Sequence, residues 1–194
     1  ITACPDTALP NTAQDVSTIL VTAIRNYVSD KEQQKNLLNE VQGLEERCRA
    51  RMVDNATSKG KEPFKDILRA EVDQLTTVSE AARGEFTRII GQLPLAYNDV
   101  TAIFRSVEKK SPGNGGLFSI FVSDLCKGCG ECVQVCGDHN ALRMIRETPE
   151  INAELATAQV FSRLLPDTSQ KFLGLYNDDT PEDSREAALR NHLM

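Results

Sequence analysis

No apolar run in these 194 residues approaches the roughly 18 needed to span a bilayer, so no membrane partner is expected. Positive charge is also in short supply. Twenty-two Lys and Arg stand against 28 Asp and Glu, a net charge of −6. Phosphate recognition requires a basic face, so a nucleic-acid partner is not expected either. The opening residues lack the charged stretch and apolar segment of a secretory signal. The glycine-rich Ser111–Gly116 stretch lacks the following Lys-Ser/Thr of a phosphate loop and reads as a linker. What the chain has instead is six cysteines, four of them in one short run. That distribution fits a reducing cytoplasm better than an exported disulfide scaffold. The length suits one large domain or two small ones with a real core.

The organising stretch is Cys126-Lys127-Gly128-Cys129-Gly130-Glu131-Cys132-Val133-Gln134-Val135-Cys136. Steps of three, three and four residues form the run with which bacterial ferredoxins hold 4Fe–4S clusters. Gly128 and Gly130 alternate with the first ligands, so the backbone can bend tightly and bring its N–H groups near the cluster sulfides. Zinc favours two separated C-x2-C knuckles or a Cys/His mixture, and cysteines this close on a tight loop bridge poorly as disulfides. His139, three residues past Cys136, reads as a surface turn residue rather than a ligand.

A second signal opens the chain. Cys4-Pro5, followed by Ala8-Leu9, reads like the tail of another such run, whose fourth Cys typically precedes Pro. The chain is therefore expected to be cut from a longer polypeptide, and its ending at Met194 without a polar tail points the same way. In two-cluster ferredoxins the fourth Cys of each run serves the other cluster. Under that rule Cys4 joins Cys126, Cys129 and Cys132 on one cluster, while Cys136 belongs to a second whose remaining ligands lie outside this chain.

Between the two signals the pattern is helical. Thr12–Asp15 resembles a capping box, and Val16, Ile19, Leu20, Ala23, Ile24, Tyr27 and Val28 follow at three- and four-residue steps. A second helix is expected from Asp30 to near Val53, with Cys48 a buried thiol on its apolar stripe. Asn55–Gly60 reads as a turn. A third helix is expected from Pro63 through Ile90, and a fourth carries Val100, Ile103, Phe104 and Val107. Four helices with short connections predict an antiparallel hairpin or bundle whose role is docking or spacing. Leu117–Ser123 is a β-prone approach to the cysteine run, and Ala141–Ile145 is the expected return strand. A tail helix is expected over Glu150–Leu165, and another starts at Thr180-Pro181.

The Cys4-Pro5 tail, the long intervening segment, the β-prone approach and the 126–136 run followed by Ala141-Leu142-Arg143-Met144 resemble the two-cluster ferredoxin domain of pyruvate:ferredoxin oxidoreductases. These belong to the thiamine-diphosphate-dependent 2-oxoacid:acceptor oxidoreductases. Specific matching covers residues 1–10 and about 117–147. Gly137 departs from the usual Pro, and the segment between the motifs is unusually long and helical.

The resemblance implies an α+β, mostly helical chain: half of a bacterial two-cluster ferredoxin fold interrupted by a large all-α insertion. Residues 1–10 would end a first cluster motif, 11–110 form the helical insertion, 111–147 the cluster-binding segment and 148–194 a helical connection onward. It further implies an electron relay from a decarboxylated 2-oxoacid intermediate to an external ferredoxin or flavodoxin. The parent's other domains would be partners, and thiamine diphosphate and coenzyme A would bind elsewhere in that parent. No catalytic residue is expected here, so the chain alone is not expected to be an active enzyme. Two other readings remain open: a ferredoxin-type module of another redox complex, or a helical docking domain whose cysteine loop binds zinc or nothing.

Overall fold

The computed structural model describes residues 3–55, 62–139 and 142–172. Its first element is a strand, β1 (Asn11–Gln14), where the sequence predicted a capping box. Thr12 and Gln14 are taken up differently. The Gln14 amide donates to Thr12 Oγ1 at 2.8 Å and to the Pro166 carbonyl at 2.7 Å, so neither side chain caps a helix. Asp15 stands at the N-cap of α1 (Val16–Tyr27) without a side-chain capping bond, its carboxylate drawn instead to Lys171 at 2.6 Å. The expected apolar face of α1 is real: Val16, Ile19, Leu20, Ala23 and Ile24 are all buried.

The expected second helix divides into α2 (Lys31–Asn39) and α3 (Val41–Asn55). Asp30 caps the first by accepting from the Gln33 amide at 2.8 Å. At Glu40 the backbone turns to ψ −8°, leaving the helical path, while buried Leu37, Val41 and Leu44 carry the stripe across the break. The periodicity continues through the turn, so it did not register the break.

The third expected helix also divides, into α4 (Phe64–Asp73) and α5 (Glu80–Gln92). Ser79 begins α5 by accepting from the Ala82 amide at 3.2 Å, and buried Leu75 and Val78 fill the connection. The fourth helix opens as a π-helical turn (Thr101–Arg105), which buries Phe104, and continues as α6 (Ser106–Lys110).

Helices α3, α4 and α5 pack in succession, with α1 against α3 and α5 and α2 beside them. One apolar core runs through all five and reaches Tyr97, Phe104, Leu117, Phe121 and Phe161. Tyr97 ties the helices to the sheet: its ring stands edge-on to Phe64 of α4 at 6.5 Å and to Phe121 at 6.3 Å.

Strand β2 (Leu117–Ile120) forms where the β-prone run predicted one, but its partner is β1. The two pair antiparallel, Asn11 opposite Ile120 and Gln14 opposite Leu117, and Asn98 bridges the far side of β2 at Phe118. The cysteine run ends in α7 (Glu131–Cys136), followed by a 3-10 turn (Gly137–His139) and α8 (Pro149–Leu164). The return strand is not formed. Residues 142–148 carry no regular structure, and Met144 and Ile145 are exposed. The class is mostly helical α+β with a two-stranded sheet. Ala141, most of the 55–60 turn and the helix start at Thr180 lie outside the described residues.

Candidate cysteine site at one end of the sheet

The pairing of β1 with β2 decides where the cysteines go. Past the regular ladder the antiparallel hydrogen bonding continues, Phe121 N donating to Pro10 O at 2.8 Å and Ser123 N to Ala8 O at 2.9 Å. The chain before Ala8 and the chain after Ser123 therefore leave the sheet at the same end. One carries Cys4 and the other carries Cys126, although 121 residues separate Asp6 from Lys127 in sequence. These two side chains meet there in an ion pair of 2.9 Å.

Each loop has its own local supports. In the Cys4 turn, Thr7 N donates to Cys4 O, and Ala8 N donates to Cys4 Sγ at 3.3 Å. At the start of the run, Cys126 N donates to Ser123 O at 3.1 Å. Gly128 and Gly130 then adopt φ of +69° and +78°, conformations that L side chains rarely take. Gly130 is the N-cap of α7, its carbonyl accepting from Val133 N and Gln134 N. Cys132 and Cys136 lie four residues apart on α7, which places them on one face.

Gly137 ends α7 at φ +51° and ψ −133°. Proline is confined near φ −65°, so the residue expected after a fourth ferredoxin cysteine is incompatible with this backbone. The departure seen in sequence thus corresponds to a different exit from the loop.

Cys126 and Cys129 are exposed, and Cys4, Cys132 and Cys136 are half-buried. Cys48 stands apart, fully buried on α3 as the sequence predicted. Burial foremost, with the nearby Glu71 carboxylate, pushes its thiol up to about 12 and keeps it protonated. Among the described residues, no three His, Cys, Asp or Glu side chains converge closely enough to hold a metal ion. In chemistry the donors are soft thiols of the kind that ligate iron–sulfur clusters, Cys126 and Cys129 on a loop bent by two glycines, with Cys4 at the same sheet end. His139 closes the 3-10 turn.

Sequence reasoning missed the Asp6–Lys127 pair, because an acid and a base this far apart leave no local pattern. It also missed a buried group around Arg49. This guanidinium donates to Glu45 at 2.8 Å, to the Gly115 carbonyl at 2.6 Å and to Glu108. The group pins the Ser111–Gly116 linker to α3 and so sets where β2 begins.

Among the described residues, no helix is long and apolar enough to cross a membrane. No family model, curated protein or solved structure matches this chain.

Proposed function

We propose that this chain is the electron-transfer iron–sulfur domain of a thiamine-diphosphate-dependent 2-oxoacid:ferredoxin oxidoreductase. In this reading Cys4, Cys126, Cys129 and Cys132 hold one 4Fe–4S cluster, and Cys136 is directed to a second. The observation that carries it is the shared exit of the Cys4 and Cys126 segments from the sheet, held by the Ser123–Ala8 hydrogen bond. A crossed ligand set requires that juxtaposition, and the sequence separation alone does not supply it.

A 4Fe–4S cluster supplies reversible one-electron transfer, tuned by hydrogen bonds to sulfur and by exposure. The chain's own contribution is to deliver thiolates and N–H donors. Ala8 N already donates to Cys4 Sγ, and Gly128 and Gly130, at positive φ, bend the backbone of the cysteine loop. Exposure of Cys126 and Cys129 leaves the loop open to an external acceptor such as a ferredoxin or flavodoxin.

The test is iron and acid-labile sulfide per chain after anaerobic reconstitution of the wild type, Cys4→Ser and Cys136→Ser. About four irons per chain are expected, lost in Cys4→Ser and kept in Cys136→Ser. The opposite pattern means that the 126–136 run closes on itself and removes the crossed set. Zinc in place of iron moves the protein to the docking class.

A further inference from the structure

The backbone hydrogen bonds that join the two cysteine-bearing segments stop at Ser123 N to Ala8 O. Beyond that point, among the described residues, the backbone bonds in each segment are local, Thr7 to Cys4 on one side and Cys126 to Ser123 on the other. The link that spans the gap is the 2.9 Å ion pair from Lys127 Nζ to Asp6 Oδ1. Lys127 immediately follows Cys126, and Asp6 lies two residues after Cys4. The pair therefore acts at the point where the two thiols must be brought together.

We propose that Asp6 and Lys127 are positioning residues, a latch that holds the Cys4 turn against the first turn of the cysteine loop before any cluster is present. The proposal rests on the ligand reading above for its purpose, but the latch is a property of the polypeptide. Both partners reach solvent, Lys127 more than Asp6, with side-chain exposures of 75% and 29%. A pair of this kind is weak, so the latch biases the approach of the two segments without locking it, and it responds to salt. Such a bias raises the effective concentration of the Cys4 thiol at the loop while leaving it room to move onto an assembling cluster.

The test measures thiol proximity in the full chain without metal. Cys48→Ala, with Cys129, Cys132 and Cys136 each changed to Ser, leaves Cys4 and Cys126 as the two reactive thiols. The rate of intramolecular crosslinking by a short bismaleimide, which adds one thiol at each end, reports how often they meet. Asp6→Lys and Lys127→Asp, each in this background, are expected to slow crosslinking about two- to five-fold at low salt. The double exchange of Asp6→Lys with Lys127→Asp is expected to restore it, and 1 M NaCl to erase the difference between wild-type and single-variant charges. Unchanged rates in the single variants, or no restoration by the exchange, overturn the latch. Iron content after reconstitution of the same charge variants with all cysteines present separates the two ideas. Iron absent throughout overturns the ligand reading, while restoration of crosslinking by the exchange supports the latch regardless.

Discussion

Arg49 of α3 and Glu108 of α6 form a buried ion pair, with side chains only 7% and 8% exposed. The Glu108 carboxylate also accepts from Gly113 N at 2.8 Å and Gly115 N at 2.9 Å, and the Arg49 guanidinium lies 6.0 Å from the Phe104 ring centroid. A Cβ on Gly115 would meet Glu108 at 2.9 Å, so the linker approaches this closely only because glycine stands there. The pair thereby fixes the turn from which β2 departs toward the cysteines.

Arg49→Met is expected to destabilise the protein by about 3–5 kcal/mol, because it strands a buried carboxylate. Adding Glu108→Gln removes that charge and is expected to recover part of the loss. Urea denaturation of both single variants and the double gives a coupling energy, and strictly additive effects would show that the two groups act independently.

Cys48 sets a pH dependence. Its folded pKa of about 12 lies above the ordinary 9.0, so the folded state holds the thiol proton more tightly than the unfolded chain. The resulting contribution is complete below about pH 9 and is lost as pH rises toward 12. Burial also raises Tyr97 above its ordinary 10.0, but that group adds slope only above pH 10. Between pH 9 and 10 the wild type is therefore expected to lose stability faster than Cys48→Ala, as read from urea midpoints at each pH. Parallel curves would remove Cys48 as the source.

Gly137 is expected to tolerate substitution poorly. Alanine at φ +51° and ψ −133° costs about 1–3 kcal/mol locally. Proline cannot reach that φ, and it also removes the amide that donates to Val133 O at the end of α7. Faster amide exchange at Val133 and Gln134, whose N–H groups bond to Gly130 O, is the expected sign in Gly137→Pro. The global urea midpoint should move little, because α7 buries no residue. Unchanged exchange would mean that the turn accepts the ring after all.

Several elements were legible from local chemistry. The three- and four-residue spacing from Val16 to Val28 gave α1, the β-prone 117–123 run gave β2, and the helical stretch expected over Glu150–Leu165 is α8, whose start the structure places one residue earlier, with the Thr148 hydroxyl accepting from Ile151 N. The breaks at Glu40 and across 74–79 were not legible, because Leu37 and Leu44, or Val72 and Val78, continue an apolar stripe through a turn. Ser79 was the available sign of the second break, a capping residue just before Glu80.

The sequence by itself determined the thiol inventory, the glycines that bend the cysteine loop and the amphipathic faces of the helices. Each of these depends on residues within about one turn of one another, where spacing is geometry. Tertiary structure alone decided that β1 is the partner of β2, that Cys4 shares an end of the sheet with Cys126, and that Arg49 holds the linker between them. Those relationships join residues many tens of positions apart, and only the packing of the intervening helices closes such long loops. The burial of that core offsets the chain entropy the closure costs.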